Sequence, residues 1–172
     1  MSDARFELHK FTGSGAGTDN TTNKVFAFLN VDEHQEDPGY STIPQPTLSG
    51  QHTHSFEQYL KFIAITMPDN YVTDFKVWGS ASHPDYPNNK ATVLFGTTVS
   101  GSTPVNTASS VATVDQHANY NDSSNGLVIQ TIDIVPSGND KTDFLVAQLK
   151  LAFGIESGEL TPMIFHFSYI EG

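Results

Sequence analysis

The sequence predicts an all-β fold, specifically a jelly-roll-like β-sandwich of about eight strands with long loops. Three observations support this prediction. Several short segments alternate apolar and polar residues, stretches rich in Gly, Pro and Asn separate them, and no segment has a convincing helical period. The 172 residues fit a single domain, residues 1–172, whose core is supplied by twelve Phe, six Tyr and one Trp.

The N-terminal third begins with one clearly alternating segment. Phe6 and Leu8 alternate with polar residues within Arg5–Phe11, which predicts an edge or half-buried strand. Thr12–Thr22 is rich in Gly, Ser, Thr and Asn and is predicted to be a loop. Lys24–Val31 is apolar at nearly every position, which favours a buried strand, although so short a run does not exclude a helical turn.

The centre of the predicted fold is the stretch from Ser55 to Trp78. Its first half is apolar on both faces of an extended backbone, which is typical of a central strand covered on both sides. Met67-Pro68-Asp69-Asn70 then predicts a turn, because proline presets φ and the Asp and Asn side chains form local hydrogen bonds. Tyr71–Trp78 follows as a second strand, and together the two strands are predicted to form a hairpin.

The next part of the chain alternates between strands and polar connections. Ala91–Val99 is predicted to be a strand, whereas the polar stretch after it contains at most a weak strand near Val111–Val114. Gly126–Val135 is strongly β-branched and is predicted to be a strand along its length. A turn rich in Pro, Ser, Gly and Asn ends it.

Two strands are predicted at the C-terminal end. Asp143–Phe153 contains good helix formers, so a helix is the rival interpretation, but its clean period of two favours a strand. In Met163–Ile170 the large residues also alternate, with Phe165, Phe167 and Tyr169 on one face.

The charge balance excludes some classes of partner. The chain has 8 basic and 19 acidic residues and a formal net charge of −11, which opposes binding to nucleic acid and to anionic membranes. Its N-terminal residues lack the apolar stretch of a signal peptide, and no apolar run is long enough to span a membrane. We therefore expect neither conventional secretion nor membrane insertion. The absence of Cys leaves the redox compartment open.

Two clusters are weak candidates for a metal site. His52 and His54 would share one face of a strand, a spacing that two imidazole ligands of one ion can use. No third ligand is indicated nearby, and a polar strand entrance is the alternative. Asp115 and Asp122 lie in an oxygen-rich loop that suits calcium, but the spacing matches no EF-hand and turn chemistry also explains such a cluster.

The sequence carries no catalytic signature. It has no Cys, no nucleophile elbow and no Gly-rich phosphate loop that ends in Lys and Ser or Thr. We therefore expect a protein that is not an enzyme and that needs no cofactor. Tyr86 and Tyr120 lie in predicted loops, where exposed rings can stack on sugars, and Trp78 lies beside such a loop. For Trp78 the alternative is a position in the core at the end of a strand.

A set of strand and loop segments between Phe56 and Glu171 carries a family resemblance. The segments are Gln58–Ala64, Tyr71–Trp78, Phe95–Thr97, Thr103–Ser110, Val146–Leu151, Ser157–Leu160 and Phe165–Glu171. Together they resemble small structural proteins of tailed-phage virions. The resemblance lies in strand and loop sequences such as FKVW and VAQLKL and includes no catalytic motif.

The resemblance implies a non-enzymatic sandwich that functions through subunit contacts. Such a protein decorates the head, forms part of the collar or neck, or anchors the tail or its fibres. It is assembled in the host cytoplasm, is located in the virion, and binds itself and other virion proteins. Residues 1–50 match least, and they are either an arm that orders on a neighbouring subunit or an ordinary pair of strands with long loops. The alternative function is a carbohydrate-binding or receptor-binding module that uses Tyr86 and Tyr120 to contact host glycans.

Overall fold

The structure is a computed structural model that describes residues 3–12, 16–21, 43, 46–79, 91–98, 124, 126–130, 132–154 and 164–172. These residues form nine β-strands in two antiparallel sheets and contain no α-helix. The predicted fold class, an all-β sandwich, is therefore confirmed. The strands are β1 (Arg5–Thr12), β2 (Thr18–Thr21), β3 (His52–His54), β4 (Gln58–Thr66), β5 (Val72–Gly79), β6 (Ala91–Thr98), β7 (Leu127–Val128), β8 (Phe144–Ala152) and β9 (Phe165–Glu171).

The larger sheet has six strands, and β4 lies near its centre. β1 pairs with β2 on one side and with β4 on the other, and β4 pairs in turn with β8. The predicted strand in Arg5–Phe11 is thus an interior strand rather than an edge strand. β8 pairs with β6 along nearly its whole length, while β3 and β4 pair with β8 as well. The prediction that β4 is a central strand is confirmed.

A bulge between β3 and β4 is held together by buried polar groups. Ser55 donates its backbone N–H to the Leu149 carbonyl (2.8 Å), and Gln58 pairs with Ala147. Two residues between them, Phe56 and Glu57, therefore stand opposite one residue of β8, which defines a β-bulge. Backbone groups at this irregular step bond to nearby side chains, because the regular ladder is interrupted.

The smaller sheet has three strands in the order β7, β5, β9. Its central strand, β5, is irregular at Asp74, which has a positive φ of 53°. There the register against β9 shifts by one residue, because Asp74 and Phe75 together oppose Tyr169. The Asp74 carboxylate also contacts the Lys76 ammonium at 2.9 Å.

The predicted hairpin between β4 and β5 is wrong, because the two strands belong to different sheets. The connection of Met67–Tyr71 carries the chain across the sandwich, so the strands face each other through their side chains. Phe62 of β4 packs on Phe75 of β5 with ring centroids 4.8 Å apart. Both strands carry large apolar side chains on one face, and stacking the sheets buries these faces against each other.

Two further predictions are corrected. Thr18–Thr21 forms the edge strand β2 inside a segment predicted to be a loop, because an edge strand needs only backbone pairing and its Thr residues suit extended backbone. The strand predicted over Gly126–Val135 is reduced to Leu127–Val128 and an isolated bridge at Ile134.

The interruption after β7 follows from the irregular backbone of β5. The Gln130 side chain takes the place of a backbone partner there, since its Oε1 accepts from the Phe75 N–H (3.1 Å) and its Nε2 donates to the Val72 carbonyl (2.6 Å). Ile134 then resumes backbone bonding with Val72. The ladder is therefore continued by a side chain where regular pairing fails.

The other strand predictions have mixed outcomes. The strands predicted at Ala91–Val99, Asp143–Phe153 and Met163–Ile170 are confirmed as β6, β8 and β9, and the helical alternative for β8 is excluded. Lys24–Val31 and Val111–Val114 lie outside the described residues.

The core between the sheets is organised around Phe75, which is fully buried. Its ring contacts four other aromatic rings, with centroid distances of 4.8 to 5.6 Å; these belong to Phe6, Phe62, Phe167 and Tyr169. The four rings come from both sheets, so Phe75 links β1 and β4 to β9. Aliphatic side chains of β5, β6 and β8 complete the cluster.

A second, smaller cluster covers the opposite face of the larger sheet. Tyr59 packs against Phe144 at 5.6 Å, and Val146 joins them. The Tyr59 hydroxyl donates to the Glu57 carboxylate (2.6 Å), which satisfies both groups in this buried position. The sequence prediction that β4 is apolar on both faces is therefore confirmed around Tyr59.

Candidate interaction surface

The residues predicted to bind a metal are only partly described by the structure. His52 and His54 both lie in β3, opposite Ala152 and Lys150 of β8, and His54 is buried. Within the described part of the chain, no group of three or more His, Asp or Glu side chains is arranged to hold a metal ion. Asp115 and Asp122 lie outside the described residues.

A polar cluster near β1 places His9 between two carboxylates and does not form a metal site. His9 lies between two carboxylates, with its Nδ1 2.9 Å from Asp19 Oδ1 and its Nε2 3.8 Å from Glu7 Oε2. The two acids approach opposite sides of the imidazole ring, so the three side chains do not converge on one point. Asp19 lies in β2, so its contact with His9 links this edge strand to β1.

The exposed apolar side chains are concentrated on the smaller sheet. Nine large hydrophobic residues are exposed among the described residues, and six of them lie on β7 or β9 or within a few residues of a strand of this sheet. These six are Tyr71, Val128, Ile132, Ile164, Phe167 and Ile170. Single exposed apolar residues are ordinary, but a concentration on one small sheet is typical of an interaction surface.

The outer face of the smaller sheet carries an aromatic pair. Trp78 and His166 stand opposite each other on β5 and β9, and their rings stack with centroids 5.6 Å apart. Gly126 lies on the other side of Trp78, where an added Cβ would meet the Lys76 Cβ at 3.0 Å and the indole at 3.5 Å. Trp78 is thus a half-buried side chain of the outer face and does not close the core.

β9 is the most exposed long strand of the sandwich. Ile164, just before it, is 61% exposed, and Phe167 and Ile170 are 42% and 54% exposed. The Phe167 ring still stacks on Phe75, at 5.5 Å, so one face of the ring is packed while the remainder is open. β9 therefore belongs to the core through its inner face and to the surface through its outer face and edge.

The N-terminal segment anchors one end of β9. The Tyr169 hydroxyl donates to the Ala4 carbonyl (2.7 Å), and the Glu171 carboxylate accepts from the Ala4 N–H (3.1 Å). The pKa of Tyr169 is raised above its ordinary value of 10.0, first by burial and then by the negative charges of Glu171 and Asp3. The neutral phenol is the form that the folded protein favours.

We predict that this anchor weakens at alkaline pH. Because the pKa of Tyr169 is higher in the folded than in the unfolded chain, its contribution to stability is complete below about pH 10 and is lost as the pH rises through the folded-state pKa. Chemical denaturation across the alkaline range should show this loss in the wild type. The Tyr169→Phe variant should lack that component, and identical pH dependence of both proteins would contradict the assignment.

Lys61 changes the stability with pH in the opposite direction to Tyr169, so the wild type must be compared with the Tyr169→Phe variant. Its ammonium lies 4.1 Å from the centroid of the Phe144 ring, and burial, followed by the charge of Lys141, lowers its pKa below 10.5. The stability contribution of Lys61 is therefore lost as the pH falls, whereas that of Tyr169 is lost as the pH rises. Only the difference between wild type and Tyr169→Phe isolates the tyrosine.

The predicted sugar-binding residues Tyr86 and Tyr120 lie outside the described residues. Sequence reasoning did not identify the β9 edge as a site, because exposure of a strand depends on which strands pair with it. No helix in the described ranges is long and apolar enough to cross a membrane. No family model, curated protein or solved structure matches the chain.

Proposed function

We propose that this chain is a non-enzymatic structural protein of a tailed-phage virion that acts through contacts between subunits. Its position would be on the head surface, in the collar or neck, or at the attachment of the tail or its fibres. The observation that carries the proposal is the β9 strand, which exposes apolar side chains at one side of the sandwich. A surface of this kind gains stability when a neighbouring subunit covers it.

The charge of the chain supports the same function. A net charge of −11 keeps the protein away from packaged nucleic acid and from anionic membranes, and it leaves protein surfaces as partners. The all-β architecture supplies rigid strands that hold an interface in a fixed shape, which is what a symmetric particle requires.

Two measurements test the proposal. Light scattering coupled to size exclusion should show self-association of the purified chain or its assembly on particles, and mass spectrometry of purified virions should detect its peptides. A protein that stays monomeric and is absent from every virion preparation would contradict the proposal.

A carbohydrate-binding module is the second candidate, and Trp78 is the observation that favours it. The indole lies half-buried on the outer face of the smaller sheet, where it stacks on His166 and the Gly126 backbone packs beside it. Aromatic rings at such positions stack on the apolar face of sugars. Under this candidate a glycan array gives a signal that Trp78→Ala removes and that the distant Phe153→Ala retains; a blank array removes the candidate.

A further inference from the structure

We propose that β9 binds the β9 strand of a second copy of this chain, edge to edge and antiparallel, about a two-fold axis at Phe167. The inference deepens the proposed function and rests only on its claim that subunits contact each other. The pairing would join the smaller sheets of two copies into one continuous sheet of six strands.

The backbone of β9 is oriented for this pairing. Gly172 exchanges both backbone hydrogen bonds with Tyr71, at 3.1 and 3.3 Å. Because hydrogen-bonding direction alternates along a strand, the even-numbered residues of β9 direct their backbone groups toward β5. Phe167 and Tyr169 then direct theirs to the opposite edge, with which no strand of the described residues pairs.

β9 lacks the features that usually prevent edge pairing. Exposed edge strands are commonly short or carry Lys, Pro or a bulge. Phe165–Glu171 has seven residues and contains neither Lys nor Pro. The irregularity in its pairing with β5 belongs to β5, where Asp74 and Phe75 form the bulge, so β9 itself stays regular.

The sequence of β9 is nearly symmetric about Phe167. The residues from Ile164 to Ile170 are Ile, Phe, His, Phe, Ser, Tyr and Ile. A two-fold axis at Phe167 places Ile164 opposite Ile170 of the second copy, aromatic opposite aromatic, and His166 opposite Ser168. The two Phe167 residues then form a hydrogen-bonded pair, as their outward backbone groups require.

This register also covers the exposed apolar side chains. Ile164 and Ile170 lie on the outer face and are 61% and 54% exposed, and each acquires the other as its cross-strand neighbour. The ring of Phe167, which is 42% exposed, gains the Phe167 ring of the second copy as its neighbour on the inner face. A single register therefore pairs the outward backbone groups of β9 and also covers the exposed apolar side chains on both of its faces.

The distribution of charge favours this edge, rather than other surfaces of the molecule, as the place where a second copy binds. Two chains of net charge −11 repel each other, yet Ile164–Ile170 contains no Asp, Glu, Lys or Arg. Pairing at this edge therefore brings no like charges into direct contact. The net charges of the two chains still repel each other, and because salt screens this repulsion, association should strengthen as the salt concentration is raised. A strongly charged partner finds no complementary group in Ile164–Ile170.

Sedimentation of the full chain over a range of protein and salt concentrations tests the proposal, with Ile170→Lys as the interface variant. Ile132→Lys is the matched control, because Ile132 is also exposed and follows β7 in sequence, on the side of β5 away from β9. We expect the wild type and Ile132→Lys to dimerise, more strongly at high salt, and Ile170→Lys to dimerise at least about tenfold more weakly. Hydrogen exchange should show the Phe167 and Tyr169 amides protected in the dimer and unprotected in Ile170→Lys.

Two results would overturn the inference. Equal dimerisation of both variants, without protection of the Phe167 amide, would place the subunit contact on another surface and leave the proposed function standing. A wild type that stays monomeric at every concentration would also overturn it, and virion mass spectrometry would then decide the proposed function separately.

Discussion

Replacement of Phe75 by alanine is expected to lower the free energy of unfolding by about 3–5 kcal/mol. Phe75 is fully buried and its ring contacts four other aromatic rings from both sheets. Removing the ring loses its transfer free energy and leaves a cavity that the surrounding rings, fixed on β1, β4 and β9, fill only in part. Denaturant unfolding of wild type and variant measures the difference.

Two further variants sharpen this experiment. Phe75→Leu keeps much of the apolar volume and should cost clearly less than Phe75→Ala. Phe153→Ala removes an aromatic ring that is 47% exposed and should change stability by no more than about 0.5–1 kcal/mol. A Phe75→Ala protein as stable as Phe153→Ala would contradict the placement of Phe75 at the centre of the core.

Replacement of Ser55 by alanine is expected to cost about 1–3 kcal/mol, because the buried Leu149 N–H loses its partner and the Phe56 carbonyl keeps only the bond from Gln58 Nε2. The Ser55 Oγ accepts from the Leu149 N–H (2.9 Å) and donates to the Phe56 carbonyl (2.8 Å). The Gln148 side chain meanwhile donates to the Ser55 carbonyl (2.9 Å) and fixes the other side of the bulge. None of these groups is open to water, so no solvent molecule replaces the lost hydroxyl.

The control for Ser55→Ala is Ser137→Ala, in the exposed turn after Ile134. It deletes the same hydroxyl without burying an unsatisfied group, and its effect should stay within about 0.5 kcal/mol. Thermal or denaturant unfolding of both variants is sufficient. Equal stability of the two variants would contradict the account of the bulge as a buried hydrogen-bonded step.

A strand could be predicted from the sequence where the alternation within one segment shows which side chains lie on each face. In β8 the period of two separates Leu145 and Ala147 from Phe144 and Val146, and the structure places these pairs in the two different clusters. The same local rule identified β4 and β9. Alternation reports the two faces of a strand, and a helix cannot reproduce it over nine residues.

Pairing between strands could not be predicted by the same reasoning. The hairpin expected for β4 and β5 failed because a turn sequence such as Met67–Asn70 does not distinguish a hairpin from a crossing between sheets. Burial shows the same limit at Lys10, which shares its face with Phe6 and Leu8 and is only 2% exposed although its side chain ends in an amine. Its environment depends on residues distant in sequence.

The candidate surface depends on the same non-local information. The near-symmetric sequence around Phe167 is visible in the chain alone, but it acquires a meaning only when β9 is known to lie at the edge of a sheet. His52 and His54 could be placed on a strand from their spacing, whereas the stack of Trp78 on His166 required the register of β5 against β9.

Cryo-electron microscopy of virions from the source of this chain tests the central claim most directly. We expect density for the sandwich at symmetry-related positions on the head, neck or tail, with exposed strands of the smaller sheet in contact with neighbouring subunits. Virions that contain neither this density nor any peptide of the chain would contradict a structural role in the particle.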